Sequence, residues 1–167
     1  MKQLFTIAII AVSFVACNSN EDKTATTTTT TETSHDSHSS TVGAVEMPPM
    51  PEVPANAKVF FANLKDGQSV KSPFKVEMGV EAMSVDTANG HIKPASGHHH
   101  ILIDLDSIPM GEVIKKDSVH LHFGNAQTSA EVTLPPGKHS LTLQFADALH
   151  RSYGSRLTNK VTVDVKQ

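Results

Sequence analysis

The sequence contains very little cysteine and few aromatic side chains. Among its 167 residues there is one cysteine, no tryptophan, one tyrosine and seven phenylalanines. Because Cys17 is the only cysteine, a disulfide bond within one chain and catalytic thiol chemistry are both excluded.

The chain also lacks an excess of basic charge and the common catalytic motifs. Residues 58–167 hold twelve lysines and arginines against eleven acidic residues, so no basic surface predicts a nucleic-acid partner. No Gly-x-Ser-x-Gly elbow, phosphate-binding loop or dinucleotide-binding glycine pattern occurs. These absences favour a binding or structural protein over an enzyme.

The N-terminus has the pattern of an export signal. Lys2 precedes an apolar run from Leu4 to Val15, which is too short to span a bilayer as a mature helix. The run ends in Phe14-Val15-Ala16-Cys17, which resembles the lipobox of bacterial lipoproteins. The resemblance implies that residues 1–16 are a signal peptide and that Cys17 is lipidated. We therefore expect a protein of the bacterial cell envelope, anchored in the outer membrane on its periplasmic or surface face. An ordinary signal peptide cut near Ala16 is the alternative.

A low-complexity region follows the signal. Residues 17–57 include a threonine run from Thr26 to Thr31 and hold one lysine against six acidic residues. Because large apolar residues are scarce, burial cannot offset the entropy of ordering this region. We predict a disordered, acidic tether over residues 17–57 and a folded domain over 58–167.

The folded part has the short alternating patterns of β-strands. Phe74–Glu81 alternates apolar and polar residues, and Val161–Val165 does the same. Pro135-Pro136-Gly137 predicts a turn that joins Glu131–Leu134 and His139–Asp147 into a hairpin. With no helical periodicity and few aromatics, the sequence predicts an all-β fold, a single immunoglobulin-like antiparallel β-sandwich of six or seven strands.

Three consecutive histidines start one of the predicted strands. Because side chains alternate between the two faces of a strand, His98 and His100 share one face, and Asp104 lies farther along it. His99 falls on the other, core-facing side. We expect it to be a structural histidine whose hydrogen bonds are satisfied.

A second His-x-His pair, His120 and His122, lies in Val119–Phe123. If the two strands are neighbours, up to four imidazoles converge, and His139 and His150 flank a further strand. Imidazole suits copper and zinc; affinity favours copper, and a tetrahedral arrangement favours zinc. The predicted metal ligands are His98, His100, Asp104, His120, His122, His139 and His150.

Several motifs in the folded part resemble a bacterial domain of unknown function, the 4399 family. They are Phe60–Gly67, Gly97–His100, His122–Gly124, Gln127-Thr128 and Leu134–His139. The resemblance covers about residues 58–165. It implies an exported single domain in which the histidine motifs are a hallmark, and it implies no reaction.

The sequence therefore predicts a non-catalytic, lipid-anchored binding module with a histidine-rich copper or zinc site. One alternative is a structural or adhesive envelope domain whose histidines bond to backbone and carboxylates and only order loops. Another is a small copper- or zinc-dependent enzyme.

Overall fold

The computed structural model describes residues 46–167, where all regular structure is β except for one 3₁₀ helix at Gly154–Leu157. The described strands are β1 (Lys58–Phe61), β2 (Gln68–Lys71), β3 (Phe74–Glu81), β4 (Ser84–Val85), β5 (Ser96–Ile103), β6 (His120–Phe123), β7 (Ser129–Val132), β8 (Gly137–Ala146) and β9 (Thr158–Lys166). The predicted all-β class is confirmed. The strands outnumber the six or seven expected, because pieces as short as β4 are too brief to show an alternating pattern.

The strands form two sheets of unequal size. The smaller sheet has the order β1-β3-β7, and the larger has the order β2-β9-β8-β5, with β4 and β6 both paired to the outer edge of β5. All pairings are antiparallel except β2 with β9 and β4 with β5. The result is the expected sandwich, in which two short strands, β2 and β4, are paired in parallel with their neighbours.

The main hydrophobic core joins the two sheets. Val76 and Met78 of β3 are buried on the smaller sheet, and Leu141, Leu143 and Phe145 of β8 are fully buried on the larger. These residues occupy alternate positions, so their side chains share one face of each strand. Burying a large apolar side chain stabilises the fold by about 1.5–3 kcal/mol, which makes this core the principal determinant of the sandwich.

The predicted hairpin around Pro135-Pro136-Gly137 is wrong. β7 pairs with β3 in the smaller sheet, whereas β8 pairs with β5 and β9 in the larger. The prolines therefore lie in a connection between sheets. The Pro-Pro-Gly sequence indicates a local turn, but strand pairing is decided by contacts between residues far apart in sequence. The local sequence pattern carries no information about those contacts.

Residues 46–57, called the N-terminal segment below, contain no strand but contact the domain. Met50 and Val53 pack against the core, and Ala57 is buried. The carbonyl oxygen of Pro54 accepts a hydrogen bond from Arg156 Nη2 at 2.7 Å. The part of the expected tether nearest to the domain therefore lies against it.

Cys17, the signal peptide and the tether up to residue 45 lie outside the described residues. Within residues 46–167, no helix has the length and apolar character needed to cross a membrane.

Candidate metal centre

The histidine motifs lie on neighbouring strands of the larger sheet. β5 and β6 are antiparallel, and His100 is directly opposite His122. His98 and His100 point to the face of the sheet away from the main core, because Ile101 and Ile103, at the alternate positions, belong to that core. Register and alternation together bring three imidazoles to one patch of the outer face.

A fourth imidazole reaches the same patch from a loop. His150 follows β8, and its Nε2 atom lies 3.1 Å from Nε2 of His122. His98 and His100 approach each other in the same way, with 2.9 Å between their Nε2 atoms. The centres of the four rings are 4.7–6.3 Å apart. We call His98, His100, His122 and His150 the imidazole cluster.

Burial keeps the inner rings of this cluster neutral. His98 and His100 are fully buried, and His122 and His150 are half-buried at its outer side. Removal from water disfavours imidazolium, and the neighbouring histidines add to the effect; together they lower the pKa of His98 to about 3 and that of His100 to about 2. Burial also lowers the pKa of His122. Neutral imidazole is the form that binds metal.

The buried rings do not satisfy their own hydrogen-bonding capacity. Nδ1 of His98 and Nδ1 of His100 have no partner in the described part of the chain. In the contact between their Nε2 atoms one ring donates, so the accepting ring carries its proton on Nδ1, buried and unpaired. An unsatisfied buried group costs about 1–3 kcal/mol. Hydrogen bonding within the cluster therefore does not by itself account for burying both rings.

Three of the rings have the separations that a shared metal ion requires. One nitrogen from each of His98, His100 and His122 can be chosen so that all three lie within 4.8 Å of one another. Their ring centres are 4.7, 5.0 and 5.1 Å apart. With metal–nitrogen bonds of about 2.0–2.1 Å, imidazoles around a tetrahedral ion have centres about 5 Å apart. The three rings fit such an ion with small shifts.

The other predicted ligands do not join the cluster. His120 Nδ1 lies 2.8 Å from an oxygen of Asp117, and His139 Nδ1 lies 2.8 Å from an oxygen of Asp104. His139 Nε2 also contacts the carbonyl oxygen of Pro135 at 3.1 Å. We call His120 and His139 the carboxylate-paired histidines. They have the loop-ordering contacts of the alternative interpretation.

His99 differs from its prediction in one respect. It lies on the core-facing side of β5 as expected, fully buried with its ring centre 4.9 Å from that of Phe145. Neither ring nitrogen has a hydrogen-bond partner among the described residues, so the prediction that its hydrogen bonds are satisfied is wrong. Its cross-strand neighbours are Phe123 and Phe145, whose side chains have no hydrogen-bond donor or acceptor. Burial lowers the pKa of His99 to about 4.

Sequence reasoning missed the polar residues that support the cluster. Gln144 lies opposite His100; its side chain donates to the carbonyl of Gly154 at 3.0 Å and accepts from the amide of Ile108 at 3.1 Å. Asp147 and Arg151 form an ion pair around His150. The sequence shows only their four-residue spacing, which is not informative in a loop.

Comparison with known proteins gives one result. No curated protein and no solved structure matches the chain. The sequence profile of a domain of unknown function, DUF4399, matches residues 76–166. This range covers more than half of the chain and contains all four residues of the imidazole cluster. The chain belongs to the family of this domain of unknown function, as its motifs predicted.

Proposed function

We propose that the domain is a metal-binding module of the bacterial cell envelope, with a copper or zinc ion held by His98, His100 and His122. The observation that carries this proposal is the convergence of three imidazole nitrogens within 4.8 Å, two of them on fully buried rings. Copper and zinc are the metals most suited to such a nitrogen-only set.

The alternative is a structural or adhesive domain in which the histidines only order loops. The contacts of 2.9 and 3.1 Å between ring nitrogens favour it, because neutral imidazoles can pair in this way without metal. The unpaired Nδ1 atoms of His98 and His100 oppose it, because a purely structural network has nothing to offset the cost of burying them, whereas metal bonds to the Nε2 atoms would offset it. Apolar residues would fill the same space at lower cost.

Metal content separates these two functions. The protein, produced without an affinity tag and dialysed against copper or zinc, is expected to retain close to one ion per chain by elemental analysis. A metal that binds only the folded state stabilises it by about 2.7 kcal/mol at a hundredfold excess over the dissociation constant. Protein that retains neither ion and shows no shift in melting temperature would support the structural alternative.

The envelope location is a separate part of the proposal. It rests on the apolar run ending at Cys17, which has the lipobox pattern. The Cys17→Ser variant should move from the membrane fraction to the soluble fraction when cells are broken, because it has no thiol to acylate. If the variant stays with the membranes and wild type carries no lipid, the anchor is refuted.

A further inference from the structure

We infer that Asp147 and Arg151 position His150 as a fourth metal ligand, and that the N-terminal segment helps to hold it there. The inference rests on the metal-binding function proposed above. It adds a ligand to the group of three and names the residues that place this ligand.

His150 lies in a loop wrapped around one buried carboxylate. Asp147 Oδ1 accepts hydrogen bonds from the amides of Leu149 and Arg151, both at 2.9 Å. The backbone carbonyl of Asp147 accepts from the amide of His150 at 2.9 Å. Asp147 thereby fixes the backbone on both sides of the histidine.

The backbone of His150 itself has an unusual conformation. Its φ is +65°, in the left-handed region that residues with a side chain rarely occupy. Such a conformation persists only where surrounding contacts impose it. Besides the bonds to Asp147, the amide of Ile114 donates to the carbonyl of His150 at 2.9 Å. These contacts restrict the backbone of the loop and direct the imidazole of His150 at His122.

Arg151 links this loop to the N-terminal segment. Its Nε and Nη2 atoms lie 2.8 and 2.7 Å from Asp147 Oδ2, and both side chains are almost fully buried. The other edge of the guanidinium donates to the carbonyl oxygens of Pro48 and Pro49. Only arginine has a planar set of donors that can serve a carboxylate and two carbonyls at once.

The position of His150 decides what kind of site this is. Its ring centre lies 4.8 Å from that of His122 and 5.0 Å from that of His98. The distance to His100 is longer, at 6.3 Å. Three protein ligands with an open position are typical of catalytic zinc, and four are typical of closed sites. As a fourth ligand, His150 closes the position that a substrate would need.

The test uses the whole chain from residue 17, made soluble by Cys17→Ser, with copper(II) alone as the probe. Pulsed electron paramagnetic resonance counts the coordinated imidazoles, and competition titration gives the affinity. Wild type should show four imidazoles. Arg151→Lys should show three, with an affinity lower by about 10- to 100-fold, the usual effect of losing an outer-shell partner.

Arg156→Lys is the matched control. Arg156 also donates to a carbonyl of the N-terminal segment, that of Pro54, but does not contact Asp147. Lysine can keep this single bond, whereas it cannot replace the several donors of Arg151, so Arg156→Lys should keep four imidazoles and wild-type affinity. His150→Ala, which leaves the ion pair intact, should reproduce the change seen in Arg151→Lys. The double variant Pro48→Gly/Pro49→Gly makes the segment harder to order and should weaken copper binding even if Arg151→Lys does not fold.

The outcomes separate this inference from the proposed function. Wild type that binds no copper overturns this inference, and if it also retains no zinc after dialysis the proposed function is overturned with it. Copper bound by wild type and lost in His100→Ala, with His150→Ala unchanged in imidazole count and affinity, overturns the fourth ligand alone. If His150→Ala has the expected effect but Arg151→Lys and the proline double variant bind as wild type does, the positioning role is overturned.

Discussion

The two groups of histidines on and beside the larger sheet differ in what faces their ring nitrogens. In the imidazole cluster each histidine faces other histidines, and the two innermost rings are fully buried. The carboxylate-paired histidines each face an aspartate, as His120 faces Asp117. His120 and His122 are only two residues apart on the same strand, so the difference arises from neighbours and not from the local sequence.

This comparison shows why only one group is suited to metal. The hydrogen bond with His120 lowers the pKa of Asp117, so this carboxylate is held charged beside the ring. In the cluster, burial and neighbouring histidines lower the pKa of His98 and His100. The cluster therefore brings several imidazole nitrogens together at one point, whereas each paired histidine directs its Nδ1 atom at a carboxylate and faces no other imidazole.

The largest expected effect is acid destabilisation of the metal-free fold. The pKa values of His98, His99 and His100 are lowered to about 3, 4 and 2, below an unfolded value of about 6.5. Between these limits the unfolded chain binds protons that the folded chain does not, so the free energy of unfolding falls as pH falls below 6.5. The loss approaches about 1.4 kcal/mol per pH unit for each histidine.

Urea unfolding with a chelator at pH 7 and pH 5 measures this loss. His99→Leu removes one of the three buried histidines without touching the metal site, so its stability should depend less steeply on pH. His91→Ala, which changes an exposed histidine, is the control and should keep the wild-type slope. Equal slopes for wild type and His99→Leu would mean that His99 is not held neutral by the fold.

The next effect concerns the packing that holds His122 in the cluster. A Cβ atom on Gly124 would lie 2.3 Å from Nε2 of His122. Because a side chain and not backbone blocks it, Gly124→Ala should fold but displace the ring. Losing this ligand should lower copper affinity by at least about tenfold, the smaller effect known for outer-shell changes.

Gly79→Ala is the matched control for this substitution. Its Cβ would lie 2.3 Å from the ring of Phe60, in the smaller sheet and away from the cluster. It should cost stability, as overpacking does, typically about 1–3 kcal/mol, but leave copper affinity at the wild-type value. A loss of affinity in Gly79→Ala as large as that in Gly124→Ala would mean that the site responds to general destabilisation.

Part of this comparison could be predicted from sequence and part could not. Strand alternation places His98 and His100 on one face and His99 on the other, as the structure has them. The same rule treats His120 and His122 alike, and it contains nothing about Asp117, which lies in a loop and takes the ring of His120. Alternation specifies a face but not a partner.

The fourth member of the cluster shows a second limit. In the sequence, His139 and His150 are equivalent candidates, one near each end of β8. The antiparallel pairing of β5 with β8 puts His98 opposite Ala146 and Ile103 opposite Leu141. The end of β8 near His150 therefore meets the start of β5, and the end near His139 meets Asp104. Only the register of β5 with β8, together with the buried ion pair of Asp147 and Arg151, brings His150 and not His139 into the cluster.

The most direct test of the central claim compares two double variants by isothermal titration with copper(II) and zinc(II) near neutral pH. His100→Ala/His122→Ala removes two members of the imidazole cluster, and His120→Ala/His139→Ala removes both carboxylate-paired histidines. We expect the first variant to fold but to bind neither metal, and the second to bind both metals as wild type does. Wild-type binding by the first variant, or loss of binding only in the second, would contradict it.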